Sequence, residues 1–176
     1  MPSVPRANTD ETFEGQLRRL LDRYDQRKDE HQSKMAAIAR EEEAFLEEFA
    51  KFRELTAYPL FETVAQHLRE RGHDFSVEQK DYDVSEYGSA KDALIAITIY
   101  PAGMPRHSRA VHEFPAFSIT ASKGTRLVRL HRNVVNPGGG SSLTLPDELE
   151  LHMVTAEVVQ RELLKLLGEV FGISRA

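Results

Sequence analysis

Between Gly15 and Pro59 the chain has neither glycine nor proline, so no residue in that span stops a helix. Apolar residues fall there at helical spacing: Phe13, Leu17, Leu20 and Tyr24, then Ile38, Phe45, Phe49 and Phe52. Ten polar residues, Asp25 to Lys34, separate the two groups. A helix over residues 10–56 would be about 70 Å long at about 1.5 Å per residue. The rest of a 176-residue chain makes one ordinary domain, which covers only part of such a length. The expectation is a helix whose first half projects and whose second half, residues 35–56, packs on a domain formed by residues 57–176.

The steps from Phe13 to Leu17, Leu20 and Tyr24 alternate four and three, as in a heptad seam. Continuing that register puts Arg27, His31 and Lys34 on the same line before Ile38. Phe13, Leu17, Leu20 and Tyr24 are therefore expected to face a second copy of the chain, as a homodimer, or a partner helix. The acidic runs Glu41 to Glu43 and Glu47 to Glu48 read as a solvated face. Phe45, Phe49 and Phe52 are bulkier than a two-stranded seam takes and are expected against the domain core. Thr9 or Asp10 is the expected helix cap, and residues 1–9 read as a disordered leader.

Pro59 is expected to end or kink the helix, and a second helical stretch carries Leu60, Phe61, Val64 and Leu68 up to Gly72. Alternation then gives a strand over His73 to Asp83 and a second at Ala93 to Tyr100, with Val84 to Asp92 as a loop between them. Phe114 to Ser122 and Thr125 to Asn133 read as a hairpin about Lys123-Gly124, and Asn136 to Ser142 as a flexible loop. A last amphipathic helix follows, capped by Thr155, with Val159, Leu163, Leu166, Leu167 and Val170 on one face. The predicted class is α+β: a long coiled-coil-like helix, then an antiparallel meander of about four strands with helices on one face.

Charge is unevenly distributed. The net charge is −5, yet residues 101–135 hold six Lys and Arg against a single acid, Glu113. Lys123, Arg126, Arg129, His131 and Arg132 in the hairpin, rimmed by Arg106 and Arg109, offer a surface for an anionic ligand. A carboxylate or phosphate group, an acidic protein or a nucleic-acid strand fits that chemistry. The competing reading is an ordinary solvated sheet whose arginine stems cover apolar area. Alternation places Arg129 and His131 on the face away from the helices, together with Ser118, Thr120, Thr98 and Tyr100.

Motifs for catalysis are missing. Cysteine is absent, which excludes thiolate nucleophiles, disulfides and Cys-based metal sites and suits a reducing cytoplasm. Gly138-Gly139-Gly140 lacks the Lys-Ser/Thr pair and the following helix of a phosphate loop. His107 and His112 lie among arginines, which disfavours a cation there. No serine stands in a G-x-S-x-G elbow, and Asp81 and Asp83 are explained by a strand end. No cofactor or metal is called for. The longest apolar run, near Ala93 to Tyr100, is too short to span a membrane. The expectation is a non-enzymatic interaction or adaptor protein.

Overall fold

The computed structural model describes residues 12–104, 113–136, 139–144 and 148–172. Helix α1 runs unbroken from Phe13 to Phe52, through the polar stretch. The chain divides into two compact units, one ending at Glu41 and the other starting at Glu42. In the first unit the Thr12 hydroxyl accepts the Gly15 N–H at 3.3 Å and so caps the helix. The cap expected at Thr9 or Asp10, and the leader, lie outside the described residues.

In the second unit burial along α1 begins at Phe45 and Phe49, with Phe52 packed beside them. Met35 and Ile38, in the first unit, are exposed, and Phe45 lies nearly three turns beyond residue 35. The chain does not leave helical geometry at Pro59. Residues Arg53–Ala57 form a π turn, and α2 follows over Tyr58–Glu70. Pro59 has no N–H for the carbonyl four residues back, and its ring crowds that oxygen. The wider turn answers both problems, with the Tyr58 N–H reaching back five residues to Arg53 O. Nearby, the Glu62 carboxylate raises the Tyr58 hydroxyl above its usual range, by its charge first and by hydrogen bonding second.

Helix α2 ends as expected at Gly72. That residue takes φ +78°, and the N–H groups of Gly72 and His73 return to Arg69 O and Leu68 O at 3.0 Å. Arg53 ties the π turn to the sheet: its guanidinium donates to Lys80 O at 2.6 Å and pairs with Asp81.

Among the described residues the main sheet has five antiparallel strands, against about four expected from the sequence. They are β1 (Asp74–Lys80), β4 (Ala93–Tyr100), β5 (Ala116–Ser122), β6 (Leu127–Asn136) and β7 (Gly139–Thr144), in that spatial order. The two short strands β2 (Asp83–Val84) and β3 (Ala90–Lys91) form a separate hairpin in a segment read as loop. Strand β7 lies in the glycine-rich stretch read as a flexible loop. It pairs with β6 from Asn136↔Gly139 to His131↔Thr144, so pairing with a neighbour overrides a composition with poor strand propensity.

One face of the sheet carries Ile95, Ile97, Ile99, Phe117, Ile119, Ala121, Val128 and Leu130, all buried. Against it pack Phe45, Phe49 and Phe61 from α1 and α2, and Val159, Leu163 and Leu166 from α3 (Ala156–Val170). Phe61 meets Phe117 with ring centroids 6.0 Å apart. Thr155 caps α3 as expected, accepting the Val158 N–H at 3.4 Å. The chain is thus an α+β protein with a long N-terminal helix and an antiparallel sheet covered by helices on one face.

Candidate functional site

Two surfaces follow from the sequence, and the structure treats them differently. On the first unit's helix, Phe13, Leu17, Leu20 and Tyr24 are between 44% and 78% exposed. Three further apolar side chains share their exposure: Leu21, Met35 and Ile38. Leu20 and Ile38 are 18 residues apart, five turns of an α-helix, so both lie on one side; Leu17 and Met35 are related in the same way. Leu21 escapes a strict heptad reading because it adjoins Leu20. It joins the same stripe at the helix's true period of 3.6. The opposite side is polar, with Asp22, Gln26, Asp29, Glu30 and Ser33, and Gln26 donates to Glu30 at 3.1 Å. His31 is exposed.

The basic hairpin is largely matched by carboxylates from its own chain. Arg132 is a correction to the expected anion-binding set. It alternates with Val128 and Leu130 on the inner face, its side chain 7% exposed, and donates to Glu162 Oε2 at 2.7 Å and Glu169 Oε1 at 3.1 Å. Glu162, also reached by Lys165 at 3.0 Å, is 2% exposed. Sequence reading missed this acid, although it sits beside Leu163 within the apolar stripe of α3, the one signal for it. Arg129 is on the outer face as expected, and is held by Glu148. Lys123 stands 4.9 Å over the Tyr82 ring and 3.9 Å from Glu42.

The turn itself differs from the expected two-residue form. It spans 123–126, and Arg126 rather than Gly124 takes the positive φ, +57°. His131 is half-buried beside Ser118 on the outer face, and Arg129 neighbours Thr120, as alternation implies. Tyr100 is buried rather than open on that face, its hydroxyl 3.4 Å from Ser76 Oγ and Phe114 edge-on at 4.8 Å. Arg106, Arg109, His107, His112 and Gly138 lie outside the described residues.

Among the described residues no group of three or more His, Asp or Glu is arranged to hold a metal ion. No helix among them is long and apolar enough to cross a membrane. Asp81 and Asp83 do not act as a pair, since Asp81 holds Arg53 and Asp83 accepts the Val84 N–H at 2.9 Å. No protein-family model, curated protein or solved structure matches this chain.

Proposed function

We propose that this chain is an interaction protein that associates with a second copy of itself through the first unit's helix. The observation that carries the reading is the row of large apolar side chains at Phe13, Leu17, Leu20, Leu21 and Tyr24, all exposed on one helix. Isolated helices are barely stable in water, and most helical stability comes from packing an apolar face. An exposed apolar stripe of this length, opposite a polar face, is the sort of surface that a partner covers. In this reading the role is that of a non-enzymatic adaptor, and a chain without cysteine suits the cytoplasm.

The alternative, anion binding by residues 101–135, is weakened by the pairing of Arg129 with Glu148 and of Arg132 with Glu162. A polyanion would have to displace those carboxylates. Light scattering on the full chain, on a truncation beginning at Met35, and on the Leu17→Glu, Leu20→Glu variant tests the proposal. The expected result is a dimer that becomes a monomer in both altered forms. A native monomer, or an assembly indifferent to both changes, removes the seam from the account.

A further inference from the structure

Resting on self-association as just proposed, the distribution of apolar and charged residues along α1 also fixes how two copies meet. Leu20 and Ile38 lie nine residues to either side of residue 29. Leu21 and Met35 lie seven to either side of residue 28, and the polar stretch Asp25 to Lys34 is centred between residues 29 and 30. The pattern is close to a palindrome. All four apolar side chains are exposed, on one helix side.

A twofold dimer is isologous: if residue i meets residue j, then j meets i. In a parallel pair the axis runs along the helices and sets each seam residue on itself. Arg27 would then face its own copy, as would Lys34, and Arg23 would flank Lys28 of the partner subunit. Like charges so placed oppose association. In an antiparallel pair the axis crosses the helices near residue 29 and joins unlike positions along the seam. On the flank that sets Leu21 on Met35, centred on residue 28, Lys28 lies beside its own copy, a single repeated cation where the parallel pair has several. Leu20 meets Ile38 of the partner subunit, and Leu21 meets Met35 of the partner subunit. Arg27 then faces His31 of the partner subunit, and Lys34 of the partner subunit reaches the ring of Tyr24, a favourable site for a cation. Leu17 falls opposite Glu41 of the partner subunit, at the margin of the seam.

We infer that the occupant of the apolar stripe is a second copy of this chain lying antiparallel, with its twofold axis crossing the stripe at the level of residue 29. The interface is two equivalent apolar patches, Leu20 and Leu21 of one protomer on Ile38 and Met35 of its partner, with a polar centre between them. The polar stretch is then the middle of the contact rather than a break in it.

Because the chain has no cysteine, engineered thiols report the geometry directly. Full-length Leu20→Cys and Ile38→Cys proteins are mixed, allowed to exchange and oxidised at a concentration where light scattering shows the native chain dimeric. The antiparallel arrangement predicts that the mixture cross-links at least tenfold faster than either variant alone. In that arrangement two copies of residue 20 lie about 27 Å apart along the axis. A disulfide needs Cα atoms within about 7 Å. Leu21→Cys with Met35→Cys is an independent second pair, should one substitution weaken the dimer. Rapid cross-linking of Leu20→Cys with itself overturns the orientation in favour of a parallel pair. A dimer in which neither mixture cross-links also overturns it, while leaving self-association standing. A native chain that is monomeric by light scattering instead defeats the reading on which the orientation rests.

Discussion

Arg132 on β6 and Glu162 on α3 form a buried ion pair, guanidinium Nη1 to carboxylate Oε2 at 2.7 Å, that fastens the last helix to the inner face of the sheet. Lys165 supplies a second donor to Glu162, and Glu169 a second acceptor to Arg132. Desolvation consumes much of what such a pair gains, but removing one partner leaves a charge stranded in the core. Arg132 Nε is already buried without a hydrogen-bond partner. Glu162→Gln is therefore expected to destabilise the second unit by about 3 kcal/mol. The double variant Arg132→Met with Glu162→Met should recover most or all of that loss. Urea unfolding of the native protein, Arg132→Met, Glu162→Met and the double completes the cycle. Independent, additive losses would mean that the pair is not coupled.

Arg53 does a different job at the other end of the sheet. Its guanidinium meets the Lys80 carbonyl and the Asp81 carboxylate where β1 ends, which anchors the π turn to the edge strand. A lysine has the charge but not the planar fork. Arg53→Lys should therefore cost about 1.5–3 kcal/mol, the range for a hydrogen bond to a charged group. Amide exchange should quicken first in β1 and the neighbouring stretch of β4, and protection there equal to that of the native protein would count against this role.

Much of this architecture is legible in the sequence because it rests on short periods. Alternation at Leu94 to Ile99 and at Leu127 to Asn133 assigns faces correctly, including Arg129 outward and Val128 and Leu130 inward. The same alternation already puts Arg132 inward. It looks like a ligand-binding cation only while Glu162, 30 residues away, is unseen. Pairing along β6, from Asn136↔Gly139 to His131↔Thr144, is what makes β7 a strand, since Gly139-Gly140-Ser141-Ser142 has no strand propensity of its own. Pro59 reads as an end or a kink because a local rule does not foresee that a π turn absorbs its missing donor. On the first unit the apolar residues are plain from sequence, whereas Leu21 emerges only when the strict heptad is relaxed to the period of a straight helix.

At the start of α3, the backbone N–H of Glu157 and then the Thr155 hydroxyl lower the Glu157 carboxyl below its ordinary 4.5. A carboxyl depressed in the folded state contributes stability above its unfolded value and loses it as pH falls through the folded one. The native chain should exceed Glu157→Gln in stability near pH 7, and the gap should close below about pH 4.5. Urea midpoints of both proteins across pH 2–7 check this. A gap that widens on acidification has the wrong sign and would sink the assignment.

The two units make opposite demands on substitutions, and this separates assembly from folding. Phe49 is 1% exposed between the helices and the sheet. Phe49→Ala should cost about 3–5 kcal/mol through lost burial and the cavity left behind. Leu17 and Leu20 lie in the first unit with exposed side chains. Leu17→Glu with Leu20→Glu should leave the unfolding midpoint of the second unit unchanged at concentrations too low for association, where mass action adds nothing. The readout is tyrosine fluorescence, to which Tyr58, Tyr82, Tyr87 and Tyr100 contribute from the second unit and Tyr24 alone from the first. At higher concentration the native midpoint should rise with concentration, while that of the Leu17→Glu, Leu20→Glu variant stays fixed. A loss of several kcal/mol from the seam variant at low concentration would mean that Leu17 and Leu20 support the fold itself, and the interaction role would have to be given up.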